Sequence, residues 1–295
     1  MSGHRKKQER PSWLKQRVTA AGVTYVSTMM NDLDLHTVCQ SADCPNLGEC
    51  FGARTATFLI LGGVCTRNCR FCSVTKGVPR ELDLHEPFRV AQAVKKLGLK
   101  HAVVTSVTRD DIPDGGAGMF AACIHAIRQT NPGTTVEVLV PDFQGDTVAL
   151  TTVLEACPDV FNHNIETVPR LYPLVRPEAE YQKSLGILHA AARYGASIIK
   201  SGIMLGLGET EDEVVAVLHD WSASGVQAIT IGQYLQPSPQ HLPVIEYVHP
   251  VQFKKYEQIG CTMGFRQVVS GPLVRSSYHA AALIATPDTG SHEKQ

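Results

Sequence analysis

Residues 55–72 read TATFLILGGVCTRNCRFC: an apolar strand candidate, Ala56–Leu61, runs through two glycines into a loop that carries Cys65, Cys69 and Cys72. Outward from this stretch, strand-like and helix-like segments alternate. Further apolar strand candidates are Ala102–Thr105, Thr135–Val140, Val160–Asn162, Ser197–Met204 and Gln227–Ile231. Between them the spacing predicts helices near Pro87–Leu97, Gly118–Gln129, Thr147–Ala156, Ala179–Tyr194 and Glu211–Ala223, with a last one near Pro250–Met263. Six β-α units in series imply an α/β fold of parallel strands with covering helices, hence a barrel or a partial barrel. An open doubly wound sheet is the competing topology. No G-x-G-x-x-G stands at the first turn, which weakens a dinucleotide-binding sheet.

Nine cysteines are present, and six of them, Cys39, Cys44, Cys50, Cys65, Cys69 and Cys72, fall in one short stretch. An odd total in a chain without a secretory signal argues against a disulfide framework. Cys123, Cys157 and Cys261 each stand alone in helix-like segments and read as packing residues. The six form two triads, C-x-x-x-x-C-x-x-x-x-x-C and then C-x-x-x-C-x-x-C. Neither has the paired C-x-x-C knuckles of structural zinc, although the first triad could hold zinc with a fourth ligand from elsewhere. The second is a tight loop able to wrap three irons of a cubane and leave the fourth open for a substrate or cofactor.

With 27 basic and 28 acidic residues the formal net charge is −1, and 43% of residues are hydrophobic. That balance is globular, and it excludes both a disordered tail protein and a strongly basic nucleic-acid binder. No apolar run approaches the roughly 20 residues of a bilayer span. The segment Met1–Gln16 is basic without an apolar core, so the expected compartment is the cytoplasm. No H-E-x-x-H pair or Walker-type phosphate loop is present.

The loop Cys65–Cys72, with Phe71 before its last cysteine, resembles that of the radical S-adenosylmethionine (SAM) superfamily. Gly202–Glu209, GIMLGLGE, resembles that superfamily's G-x-I-x-G-x-x-E element on the adenine side of the SAM pocket. By itself the GLGE turn reads as a helix opening, since Glu209 suits a helix start. The first triad together with Arg275-Ser276-Ser277-Tyr278 closely resembles the lipoyl synthase family, over about Trp13 to Ala280. The supporting blocks are SWLK, VCQSADCPNLGEC, ARTATFLILGG, TSVTRDD, DGGAGMF, FNHNIETVPRLY, KSGIMLGLGE and TIGQYLQPS.

The resemblance implies a partial (β/α)6 barrel over 53–264, an N-terminal extension over 1–52 and a C-terminal segment over 265–295 whose tail, Thr286–Gln295, reads as disordered. It implies two 4Fe-4S clusters: one on Cys65, Cys69 and Cys72 that binds SAM, and an auxiliary one on Cys39, Cys44 and Cys50. Ser277 would be the auxiliary cluster's fourth ligand, with Ser276 as the alternative; helix capping is the plain reading of either serine. The implied reaction inserts two sulfur atoms, taken from the auxiliary cluster, at carbons six and eight of an octanoyl group on a carrier protein. The implied partners are lipoyl carrier domains of 2-oxoacid dehydrogenase E2 subunits and glycine cleavage H protein, a reductant such as flavodoxin or ferredoxin, and an iron–sulfur carrier protein.

Strand ends supply further candidates for SAM or substrate contacts: Arg109, Asn162, Asn164, Glu166, Gly206 and Glu209. Lys200 could bind the SAM carboxylate, pair with Glu166 or bond the substrate amide; an internal ion-pair network is the plain alternative for such residues. The competing functions are a radical SAM sulfur-inserting enzyme with a free small substrate, as biotin synthase has, an iron–sulfur electron carrier or scaffold, and a zinc-stabilised module.

Overall fold

The computed structural model describes residues 9–14 and 20–282; the tail Thr286–Gln295 lies outside the described residues. Strands β1 (Thr57–Ile60), β2 (His101–Ser106), β3 (Thr135–Leu139), β4 (Val160–Asn162), β5 (Ile199–Leu205) and β6 (Ala228–Gln233) pair in chain order, all parallel. Helices α1 (Glu86–Leu97), α2 (Ala117–Thr130), α3 (Thr147–Glu155), α4 (Tyr181–Tyr194), α5 (Glu211–Ala223) and α6 (Pro250–Thr262) follow the six strands in turn. A seventh parallel strand, β7 (Gln267–Gly271), joins β6. The two residues His36–Thr37 pair antiparallel on the free edge of β1. The fold is a partial α/β barrel, and β7 is an addition to the six expected strands.

Strands β1–β6 are largely buried on both faces, as parallel strands under helices are. Phe58 and Ile60, Val136 and Val138, Phe161, and Ile229 and Ile231 join the main core with α2 residues such as Phe120 and Ile124. The alternate residues face inward. Thr57, Leu59, Thr105, Leu139, Gly202, Thr230 and Gly232 line an internal cavity. Near the N-terminal strand ends, Val160, Ile198 and Ala228 form a separate apolar cluster; their place on the inner face makes it the barrel floor.

Residues after β7 cross the interior. Gly232 permits this: a Cβ there would lie 2.1 Å from the carbonyl oxygen of Val274. Thr57 of β1 donates to Ser277 Oγ at 2.7 Å, and Asn162 of β4 donates to Ser276 Oγ at 2.9 Å. The C-terminal segment thus ties together strands from opposite sides of the partial barrel.

Candidate active site

The second cysteine triad sits directly beyond β1, held by the ends of its neighbours. Cys65 Sγ accepts from the Thr108 N–H at 3.3 Å, and the Thr66 N–H and hydroxyl both bond Thr108 O at 3.0 Å. Arg67, 5% exposed, forks between the strand ends, with Nε 2.6 Å from Asp110 Oδ2 and Nη1 2.8 Å from Asp142 Oδ2. Burial would raise the Asp142 pKa, but the hydrogen bonds and charge of Arg67 hold it down at about 2. Farther along, the Arg70 N–H donates to Val175 O at 2.9 Å, and His241 Nε2 bonds Cys72 O at 3.0 Å.

The first triad is built on short local turns. Cys39 lies in the helix Val38–Ser41, capped by Thr37, and Cys50 in the helix Leu47–Gly52. The Cys44 N–H donates to Cys39 O at 3.0 Å, which folds the intervening loop back on itself. Two longer-range ties run to the C-terminal segment: Asn46 Nδ2 donates to Leu273 O at 2.7 Å, and Glu49 accepts from the Tyr278 hydroxyl at 3.1 Å. A third comes from the Ser73 hydroxyl, beside Cys72, which donates to Ser41 O at 2.9 Å.

A single cavity of about 450 Å³ opens onto both triads. Its lining includes Cys39, Cys44, Cys65, Cys69, Cys72, Asn164, Glu166, Ser276 and Ser277. Cys50 does not line it, although it lies close enough to Cys39 and Cys44 for those sulfurs to raise its pKa. Burial pushes the thiols up, Cys39 to about 11 and Cys50 and Cys72 to about 12, and neighbouring sulfurs of the same triad push in the same direction. Such groups become thiolates when cations are bound among them. Among the described residues no three His, Cys, Asp or Glu side chains converge on a single-ion position. A cubane cluster, by contrast, spreads its ligands around a cage.

Polar groups on the cavity wall have unused bonding capacity. His163 Nδ1 is bonded to Val140 O at 2.8 Å, but its buried Nε2 has no partner among the described residues. Burial, with the charge of Arg176 beside it, lowers the His163 pKa to about 4. Arg176 donates to the carbonyls of Asn164 and Ile165 at 3.1 and 3.3 Å, while its Nε is unpartnered among the described residues. Glu166 sits at φ +71°, a left-handed conformation costly for a side chain with Cβ. Burial raises its pKa, against the pull of Arg176 and of Asn164 Nδ2 at 3.0 Å. Arg275 is a half-buried guanidinium beside Cys44; desolvation disfavours its charge, and the Cys44 sulfur favours it. Thiols, a buried cation and unpartnered polar atoms around one cavity fit iron–sulfur clusters with a polar co-substrate between them.

Other expected contacts lie elsewhere. Arg109 turns to Asp111 at 2.8 Å and donates to Leu61 O, away from the cavity lining. Lys200 does not meet Glu166: its Nζ is 2.9 Å from Glu137 Oε1, deep in the barrel. Asn162 lies beside that pair and reaches the cavity through Ser276. Glu209 accepts from the N–H groups of Gly206 and Leu207, closing its own turn as a helix-opening residue does. Gly206 has φ +102°, and a Cβ there would strike Gln233. Its glycine thus meets a local steric demand.

Residues 59–220 match the radical SAM superfamily. The lipoyl synthase of Rubrobacter xylanophilus is 58% identical over 92% of this chain and 85% of its own length. That of Caldanaerobacter subterraneus subsp. tengcongensis is 57% identical over 92% of this chain and 95% of its own. The chain belongs to the lipoyl synthase family. SAM and 4Fe-4S clusters are the cofactors of this family of radical SAM enzymes. The barrel is also seen in the crystal structure of methylornithine synthase, with a TM-score of 0.53 at 13% identity over 88% of this chain and 80% of that one. Among the described residues, no helix is long and apolar enough to cross a membrane.

Sequence reasoning on this lipoyl synthase family chain gave no role to Arg67, Glu137, His163, Arg176 or Arg275, although Arg67, His163 and Arg275 stand inside stretches it quoted. Two signals were available for them: a charge inside a parallel strand, at Glu137, and basic or imidazole side chains immediately beside strand ends or cysteines.

Proposed function

We propose that the chain inserts two sulfur atoms into a protein-bound octanoyl group, at carbons six and eight, as a lipoyl synthase. The observation that carries this reading is the single cavity shared by both cysteine triads and by Ser276 and Ser277. Cys65, Cys69 and Cys72 would hold the SAM-binding cluster; Cys39, Cys44, Cys50 and Ser277 would hold the auxiliary one. When bound at Cys65, Cys69 and Cys72, such a cluster would supply the electron for reductive cleavage of SAM. The auxiliary cluster is a substrate, the source of the sulfur.

The protein's own part is placement and exclusion of water. Arg67 holds the SAM loop against β2 and β3 through Asp110 and Asp142. Arg176 offers a donor, and His163 Nε2, Glu166 and Asn164 offer acceptors, for a polar amino-acid moiety. Leu59, Leu139 and Val140 supply apolar wall for an alkyl chain. Ser276 already uses its hydroxyl to accept from Asn162 and to donate to Asn164 Oδ1 at 3.0 Å. Ser277 Oγ accepts from Thr57 and keeps its own proton to lose, which favours it as the iron ligand.

The finer expectations belong to the same proposal. They are the lipoyl domains of E2 subunits and the H protein as carriers, flavodoxin or ferredoxin as reductant, an iron–sulfur carrier for cluster repair, a cytoplasmic setting, and the division at 1–52, 53–264 and 265–295. The test is anaerobic: iron- and sulfide-reconstituted protein with SAM, dithionite and an octanoylated lipoyl-domain peptide, followed by mass spectrometry. A peptide gain of two sulfurs with deoxyadenosine is the expected result. Deoxyadenosine without peptide change would overturn the substrate assignment.

A further inference from the structure

Glu137 is a carboxylate in the middle of β3, with no exposure to solvent. An isolated buried carboxylate is costly, and this one is surrounded by donors. Lys200 Nζ lies 2.9 and 3.1 Å from its two oxygens, and His101 Nε2 approaches at 3.4 Å. The third neighbour leads away from the pair. Asn162 Nδ2 donates both to Glu137 Oε1 and to Ser276 Oγ, each at 2.9 Å. Ser276 Oγ then donates to Asn164 Oδ1 at 3.0 Å.

These bonds form one directed chain. The carboxylate fixes which way the Asn162 amide faces, since only its NH2 end can serve two acceptors. That amide in turn makes Ser276 an acceptor on one side and leaves its proton for Asn164. Nothing in the family reading requires Glu137, and Lys200 is turned wholly toward it. The pair lies below the cavity and contacts neither triad.

We propose that Ser276 is a positioning residue, seated by a buried relay from Glu137 through Asn162, and that this seating fixes residues 272–280 across the barrel so that Ser277 faces the first triad. Only the last clause rests on the assignment of Ser277 as an iron ligand. The role of the ion pair itself is to supply the acceptor, and its charge is dispensable where a neutral acceptor of the same shape takes its place.

Two double variants separate acceptor from charge in the full-length, iron-loaded protein. Glu137→Gln with Lys200→Met removes the ion pair and keeps an oxygen for Asn162. Glu137→Leu with Lys200→Met removes both. Hydrogen exchange of the peptide covering 272–280 should match the parent in the first and rise about tenfold in the second, the factor for one lost charge-assisted bond. Ser276→Ala, which leaves the base of the relay intact, should give the same local rise. Equal exchange in the two double variants, or no rise in Ser276→Ala, would overturn the seating. The Mössbauer spectrum of Ser277→Ala separates the two ideas. Should it match the parent while the relay variants still loosen the segment, the ligand assignment fails and the seating stands.

Discussion

The two cysteine triads share a cavity but are held in different ways. Cys65, Cys69 and Cys72 hang from the barrel itself, through Thr108 after β2, Asp142 after β3, Val175 ahead of α4 and His241 beyond β6. Cys39, Cys44 and Cys50 ride on short turns ahead of β1, and most of their distant ties go to residues 273–279, with one bond, from the Ser73 hydroxyl to Ser41 O at 2.9 Å, reaching the end of the SAM loop. A site supported by several strand ends resists loosening, because each end is fixed by the core. One supported by two chain extremities can open by local unfolding without disturbing the barrel. The difference suits a permanent cluster on one side and one consumed as sulfur donor on the other.

The sharpest break of this comparison is chemical. Cys69→Ala should abolish deoxyadenosine formation, whereas Cys44→Ala should retain it and yield no thiolated product. Chromatography of deoxyadenosine with peptide mass spectrometry reads both. Normal lipoyl product from Cys44→Ala would end the donor assignment.

The next test concerns the clasp. Arg67→Met leaves Asp142 buried without its cation, and removal of one partner from a buried pair costs about 3–5 kcal/mol. Denaturant unfolding should show that loss, and SAM cleavage should fall while the first triad still loads iron. Equal loss of iron from both triads would mean that they are not independently supported.

Much of this architecture was legible in the chain. The α/β alternation located six strands and six helices because buried parallel strands are short apolar runs and their helices are longer and amphipathic. β7 escaped because Gln267–Gly271 is only half-buried along its whole length and has no continuous apolar signal. Lys200 was visible as a charge inside a strand, but its partner was not. Glu137 lies two strands upstream in TVEVL, and only barrel geometry brings it opposite. Arg67 was hidden inside the cysteine motif, where the thiols account for the spacing and nothing local points to Asp110 or Asp142. The cysteines themselves were readable since cluster ligation demands that residue type, whereas hydrogen-bonding roles around a cofactor can be filled by many.

Acid should weaken the barrel-held half first. His163 is neutral in the fold, its pKa pushed by burial from 6.5 to about 4. Below pH 6.5 the unfolded chain takes up a proton that the folded one refuses, so stability declines as pH falls from about 6.5 to about 4 and this contribution is then complete. The full shift corresponds to at most about 3 kcal/mol. His163→Gln should therefore flatten the stability profile across that window in denaturant titrations. The Asp142 clasp acts at lower pH: its carboxylate is held down to about 2, so its contribution is present above pH 3.8 and is lost as pH falls through 2.

The smallest expected effect belongs to the tether of the first triad. Glu49 accepts from Tyr278 and lies 3.1 Å from His279 Nε2, both at a half-exposed surface. Exposed pairs of this kind contribute about 0.2–1 kcal/mol, so Glu49→Gln should leave global unfolding almost unchanged. Its effect should instead be local, because the bond joins two segments otherwise linked through Asn46 and Leu273, whereas Ser277 is tied to Thr57 of β1. Hydrogen exchange should rise in 47–52 and 272–280 and stay at the parent level in 65–72. A rise in the SAM loop as well would show that the two triads move together, and that the barrel does not insulate one from the other.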